Sequence, residues 1–564
     1  MSSNIAYPHL RPTDNGKQLI VDGRPFLSLP AELQNSSLTS SEYMNTVWQK
    51  LVDTHVNTVL GCVAWESVEP AEGQFTFKEL DRVILGARGH GLRLVLLWFG
   101  SFKNGISTYT PPWVKANPKR FPRAKLRKAG GILQTGDVLS IFHEEAPKSD
   151  ANAFAHLMRH LKDFDGDHST VIMVQVENET GLLGDSRDGS AMAEERFSQA
   201  VPHDLLSYLA SDWEHLRPDL KQNLAYFKAE SQPRGSWVEV FGRGPHTDEI
   251  FMAYHYARYL NHVAEAGKKE YPIPLYTNVW QNYVGTDGDN DFPIVAGGGG
   301  LPGDYPSGGG TSNVIDIWQH FAPALDFIAP DIYLNDYSQS CEKYRHRNQP
   351  LFIPEQRRDD YGARRIWVAY GSYQALGASP FGIDTLEPAT NSFTKHFGLL
   401  ESVSQIVLDA QRRPGALVGF YFDELASNGS DPSKPVIVSY GGYEVTIERC
   451  FVFGKPGTGS GMVIHQGDGK FLLIGWGFQV RATSESPTAA FTGILRFEEK
   501  VVANKETGEL RTLRVLNGDE TRSGNFAMMP NEDPDYGGFP ICVTIPAHTM
   551  IAEVEFYTLD EADV

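Results

Sequence analysis

Eight short apolar runs punctuate the first four hundred residues. All but the first end in a polar or aromatic residue, and most lead into a stretch of helical periodicity. They are 26–33 (FLSLPAEL), 58–65 (TVLGCVAW), 92–99 (LRLVLLWF), 171–179 (VIMVQVENE), 274–280 (PLYTNVW), 327–333 (FIAPDIY), 350–356 (PLFIPEQ) and 378–384 (ASPFGID). The runs are nearly continuous in apolar residues rather than alternating, as expected of parallel strands covered on both faces. Between them, 41–52 (SEYMNTVWQKLV, opened by capping serines), 80–90 and 151–164 read as amphipathic helices. Eight strand–helix alternations predict an α/β fold, a (β/α)8 TIM barrel. The connections 100–170 and 180–273 are long enough to carry structure of their own. They follow strands three and four, which puts them on the C-terminal face, where barrel enzymes place their sites.

A helical segment at 397–411 closes this pattern, and after Pro414 and Gly415 the character changes. Short alternating runs separated by Gly, Asn and Asp take over, and Gly467-Asp468-Gly469 between two of them reads as a hairpin turn. The expected division is therefore a catalytic barrel over 1–413 and an all-β, sandwich-like domain over 414–564. The loop 296–310 (AGGGGLPGDYPSGGG) is flexible by composition and, following strand five, is expected to border the site.

Composition narrows the partners. The 564 residues include 50 Lys and Arg against 70 Asp and Glu, a net charge of −20, with 41% hydrophobic residues. That is enough to build a large core, and too acidic, with no basic run, for a nucleic-acid backbone. A neutral, hydroxyl-rich ligand is not disfavoured. The N-terminus shows no apolar signal region and no stretch reaches the ~20 apolar residues of a membrane span, so a cytoplasmic protein with no membrane partner is expected. Cys62, Cys341, Cys450 and Cys542 lie too far apart for a zinc pattern and are expected as free thiols.

Two strand ends carry candidate chemistry. Strand four delivers Glu177, Asn178 and Glu179; by alternation the two glutamates point one way and Asn178 the other. Strand seven delivers Glu355. A carboxylate ending an apolar strand has a desolvation cost. A salt bridge to Arg357 or Arg358 would explain one such residue; two on the same rim point to function.

These residues carry a family resemblance. VQVENETG resembles the VQ(V/I)ENEYG motif of glycoside hydrolase family 35, the β-galactosidases, and CVAWESVEPAEGQFTF resembles that family's W-N-x-H-E-P-x-x-G-x-F-x-F segment. The latter is also similar to the W-S-x-x-E-P-x-E-G pattern of family 42 β-galactosidases. WFGSFKNG and the β-rich tail resemble a branch of family 35 that includes xyloglucan-active members. The chain departs from the family 35 pattern at Glu66, Val68, Thr180 and Asn35, where the family has Asn, His, Tyr and, in many members, Tyr.

The resemblance implies a retaining β-galactosidase, with Glu179 as general acid/base and Glu355 as nucleophile. It implies that Asn178 binds the sugar 2-hydroxyl and that Lys103 and Asn104 lie where the family places galactose contacts. Tyr333, at the tip of strand six, is the expected donor to Glu355. Trp65, Trp98, Trp113 and Trp280 lie at or beyond strand ends, and at least one is expected to floor the sugar pocket; Trp65 and Trp280 are the chosen candidates. Glu66 and Asn35 are candidates to replace the missing polar contacts. No cofactor and no metal are expected: the acidic run 287–291 (DGDND) lacks the Gly and Glu of a calcium loop, GTGSG at 457–461 precedes no helix, and His255 and His262 read as packing residues. The expected partner is a carbohydrate, and a homo-oligomer built through the tail is compatible with it. Another exo-β-glycosidase or a transglycosylase on the same scaffold, such as a glucosidase or glucosaminidase, is the nearest alternative. A non-catalytic carbohydrate-binding barrel is a more distant one.

Overall fold

The computed structural model describes residues 7–227, 229, 234–283, 299–450, 456–516, 518–531 and 546–563. All eight runs become barrel strands: β1 (Pro30–Glu32), β2 (Thr58–Ala64), β3 (Arg93–Phe99), β4 (Val171–Val176), β5 (Leu275–Trp280), β6 (Phe327–Asp331), β7 (Ile353–Gln356) and β8 (Ala378–Pro380). Strands β6-β5-β4-β3-β2-β1 form one parallel sheet and β7-β8 a parallel pair. Parallel bridges from Ile332 to Gln356 and from Glu32 to Phe381 close the cylinder. Its interior is filled by Leu60, Val95, Leu97, Met173, Tyr276, Phe327 and Phe352, so it is a packed core and only its rim is open to chemistry. An N-terminal three-stranded antiparallel sheet, which the apolar pattern does not reveal, sends Leu19 and Val21 into that interior cluster.

The long connections carry structure, as expected. The one after β3 holds an antiparallel hairpin (Arg123–Lys128 with Ile132–Leu139) and the helix Glu145–Asp165; the one after β4 ends in the helix Pro245–Glu270. Two expected helices are broken. The first divides into Ser41–Met44 and Trp48–Asp53, its first turn ending where the Thr46 hydroxyl donates to the Tyr43 carbonyl and competes with the helix ladder. The closing helix divides at Val403 into Ser392–Ser402 and Ser404–Gln411. The described part of the glycine-rich loop does not border the site: Ser307 pairs with Leu182 in the β4 connection, and Gly308 packs against Met252 with no room for a side chain. The DGDND run and Cys542 lie outside the described residues; Cys62, Cys341 and Cys450 are buried and free.

Among the described residues the tail forms two antiparallel sheets, one of six strands and one of four, facing each other across Phe420, Phe422, Val445, Ile447, Leu473 and Phe478. The Gly467-Asp468-Gly469 turn reverses the chain between Gly459–Gly467 and Lys470–Trp476. Asp468 and Gly469 both have positive φ (48° and 73°), as a two-residue turn matched to strand twist requires. The other face of the six-stranded sheet joins the barrel core through Met462, Ile464, Leu472, Ile474 and Trp476. Strand Leu417–Phe422 lies so close to helix Asp360–Gly371 that a Cβ on Gly419 would sit 1.9 Å from the Trp367 carbonyl oxygen.

Candidate active site

The site begins where β4 stops being a strand. Pairing ends at Val176, and Glu177 and Glu179 take left-handed backbone conformations (φ 61° and 45°) that disfavour side chains. Hydrogen bonds hold this turn: Asn178 N–H donates to the Phe102 carbonyl, Glu179 N–H to Asn278 Oδ1 at 2.9 Å, and Gly105 N–H to the Glu179 carbonyl. The turn breaks the alternation expected from the sequence. Glu177 faces backwards and accepts from the Ser101 and Phe102 amides, beside Asp150. Burial, then the neighbouring Asp150 charge, raises the Glu177 carboxyl well above its ordinary range. This pair anchors the loop that carries Lys103, and Gly100 is what lets it fit. A Cβ there would lie 2.4 Å from Trp98 Nε1, 2.6 Å from Glu177 Oε1 and 2.7 Å from Asp150 Oδ1. Gly100→Ala is expected to destabilise by about 1–3 kcal/mol through overpacking, read as a lower thermal unfolding midpoint; an unchanged midpoint would show that the anchor yields freely.

Glu179 and Glu355 meet on a cavity of about 390 Å³ at the strand tips, with Gln34, Asn35, Lys103, Trp280, Asp331 and Tyr333 among the other residues around it. One carboxylate oxygen from each of Glu179, Asp331 and Glu355 lies within 4.8 Å of the other two. Full charges that close repel by about 3.5 kcal/mol at an effective dielectric of ~20, so the three are not ionised together without compensation. Glu355 is the best supplied with donors: Tyr333 Oη donates to Oε2 at 2.8 Å, while Asn278 Nδ2 (3.3 Å) and Asn178 Nδ2 (3.4 Å) face Oε1. For Glu179, burial and then the Glu355 charge push the carboxyl up to about 7, against the pull of Lys103. Lys103 itself is buried over the Phe99 ring and donates to Asn178 Oδ1 at 3.0 Å. Burial pulls its ammonium down, but Glu355, Glu179, Glu32 and Asp331 outweigh that and hold it above the usual lysine value.

The cavity brings together Glu179, Glu355, Tyr333, Asn35, Lys103, Asn104 and Trp280. Trp65 is a correction: it is fully buried, donates to Glu69 Oε2 at 2.8 Å and packs edge-on against Trp113, so it cannot floor a sugar site. Glu69, the acid of the E-P segment, also accepts from the Gly73 amide, which makes that motif a loop staple. Asn178 is a correction of place, since it is fully buried between Lys103 and Glu355 rather than lining the wall. Trp98 is buried against Asp150, and Glu66 pairs with Lys115; neither lines the cavity. Residues the sequence reading passed over are Asn278, Asp331 and Glu32. The last two also end apolar strands in a carboxylate, the same signal that singled out Glu179. Glu32 is buried with both oxygens lacking a partner among the described residues; burial, then Glu355, raises it well above the carboxylate range. Trp280 Nε1 and Asn35 Oδ1 are likewise buried without partners among the described residues. Glu179, Asp331 and Glu355 are also the group among the described residues whose oxygens are close enough to share a cation.

Comparison with known proteins follows this layout. Residues 36–220, which span β2 to β4 and include Glu179, match the glycoside hydrolase family 42 model, described as "Beta-galactosidase". Residues 393–528 match a "Domain of unknown function (DUF5597)". Among similar solved structures is the catalytic domain of β-amylase from Paenibacillus polymyxa (11% identity, 65% of this chain and 97% of that one, TM-score 0.46). Others are the β-galactosidases of Marinomonas ef1 (13% identity, 68% and 61%, TM-score 0.44) and Rahnella sp. R3 (15% identity, 68% and 58%, TM-score 0.43). The chain thus spans about three fifths of the length of those two β-galactosidases. No curated protein matches it. The chain is thus a glycoside hydrolase TIM-barrel-like domain, similar over residues 36–220 to the family 42 β-galactosidase model, followed by a β-rich domain, with residues 393–528 similar to the domain of unknown function.

Proposed function

We propose that the chain is a retaining exo-β-glycosidase, with Glu179 as general acid/base and Glu355 as nucleophile, and that its substrate is a terminal β-linked galactose. The observation that carries this reading is the approach of the Glu179 and Glu355 oxygens to within 4.8 Å beside one cavity. Double displacement needs carboxyl groups about 5–5.5 Å apart, whereas inversion needs about 6.5–9.5 Å to admit a water between them. Their surroundings support different roles. Tyr333, Asn278 and Asn178 present donors to Glu355, as suits an anion poised to attack the anomeric carbon, while burial keeps Glu179 protonated up to about 7. Trp280, among the residues lining the cavity, supplies a flat apolar ring of the kind on which a pyranose packs. Galactose specificity and kinship with family 35 rest on the ENE motif. The catalytic unit is taken as 1–413, with 414–564 as its β-rich companion, and no metal takes part. Among the described residues no helix is long and apolar enough to cross a membrane.

A panel of nitrophenyl glycosides, with the first-formed anomer followed by proton NMR, tests this. The β-galactoside is expected to be cleaved, with β-galactose appearing first and EDTA leaving the rate unchanged. First appearance of the α-anomer would overturn retention. Cleavage of the glucoside or glucosaminide alone would replace galactose, and transfer to an acceptor sugar in place of water would make the chain a transglycosylase.

A further inference from the structure

Asp331 is the third carboxyl of the cavity, and the two-carboxylate mechanism leaves it without a task. It ends β6, is almost fully buried, and its Oδ2 accepts from Asn278 Nδ2 at 2.8 Å. Its Oδ1 has no donor among the described residues. The ionisable groups facing it are Glu179 from the β4 turn, Glu355 on β7, Glu32 on β1, Lys103 from the β3 connection, and the phenols of Tyr276, Tyr333 and Tyr344. Lys103, the cation in that set, is hydrogen-bonded to Asn178. An ionised Asp331 would therefore hold a buried, bare oxygen beside two other carboxylates. A proton on this carboxyl removes the charge and turns one of its oxygens into a donor, and the two carboxyls lie close enough for a side-chain hydrogen bond from Asp331 to Glu179. Burial, then the charges of Glu355 and Glu179, raises the Asp331 carboxyl well above its ordinary range, in the same direction.

We propose that Asp331 is a positioning residue held as a neutral carboxylic acid, which donates its O–H to Glu179 and stabilises the charge that Glu179 acquires when it protonates the leaving oxygen. This inference rests on the acid/base assignment made above. In the first chemical step the bond from the anomeric carbon to the leaving oxygen breaks. The Glu179 proton passes to that oxygen, a Glu355 oxygen bonds to the anomeric carbon, and Asp331 keeps its own proton. The Asp331 hydrogen bond then ends on a carboxylate instead of a carboxylic acid, and a charge-assisted bond is roughly twice as strong as a neutral one. The gain arises during the reaction, so it lowers the barrier rather than tightening ground-state binding.

The test compares Asp331→Asn, which keeps a neutral donor, with Asp331→Leu, which removes it. In each variant Glu179 is titrated in the full-length protein by difference infrared spectroscopy, with Glu179→Gln as the blank that assigns its band. Asp331→Leu is expected to raise the Glu179 midpoint by about one unit and to slow alkyl glycosides by about 10- to 100-fold, with dinitrophenyl glycosides little changed. Asp331→Asn is expected to leave the midpoint within about 0.3 unit of the wild type and to restore most of the alkyl rate. A midpoint that falls by a unit or more in Asp331→Asn would show Asp331 to be an anion and overturn the proposal, as would a midpoint unmoved in Asp331→Leu. If Asp331→Leu does not fold, the Asp331→Asn titration decides alone. The titration needs no substrate, so a wild type that cleaves no glycoside would defeat the glycosidase reading without deciding this one.

Discussion

Glu355→Ala is expected to lose turnover by at least about 10⁴-fold, because the group that forms the covalent intermediate is removed. The vacated space should then accept azide, which attacks the anomeric carbon directly and gives an α-glycosyl azide, inverted relative to the substrate. The donors that faced Glu355, on Tyr333, Asn278 and Asn178, remain in place to orient the small anion. Rates measured with and without azide, together with the configuration of the product, check this. A β-configured azide, or a variant with substantial activity of its own, would mean that Glu355 is not the nucleophile and that the roles of the carboxyls need reassigning.

Glu179→Ala is expected to split its effect by leaving group. Alkyl or sugar leaving groups need a proton and should slow by about 10²–10⁴-fold, whereas a dinitrophenolate leaves without one and should retain most of its glycosylation rate. A wild-type Glu179 pushed up to about 7 loses its proton as pH rises through that value, so the wild-type rate should decline on the alkaline side. In Glu179→Ala that alkaline decline should vanish, because the group responsible is gone. Equal losses on good and poor leaving groups, or an alkaline limb that survives the substitution, would remove Glu179 from the acid role.

Much of this was legible along the chain, for reasons that particular residues show. A parallel strand buried on both faces must be apolar throughout, so runs such as LRLVLLWF announce themselves, and a carboxylate placed at the end of one, as in VIMVQVENE, stands out against its desolvation cost. The Asp468-Gly469 turn is local chemistry and reads directly. Trp65 is the opposite case. A tryptophan at a strand end has the same one-dimensional signature whether it faces sugar or core, and here Glu69, four residues on, takes its indole N–H and turns it inward. Glu32 and Asp331 carried the same signal as Glu179 but were passed over, because their chemistry exists only in company.

Periodicity was enough to establish an eight-stranded barrel with a β-rich successor, since hydrophobic spacing is a property of the chain taken in order. The proton relationships within the site belong to the folded molecule. Glu32, Glu179, Asp331 and Glu355 come from four strands, up to 323 residues apart, and the effect of each on the others depends on distance and dielectric, which have no values until the barrel closes. Two left-handed residues at the end of β4 decide that Glu177 anchors a loop while Glu179 lines the cavity, a separation that strand alternation, which puts both glutamates on one side, would not give.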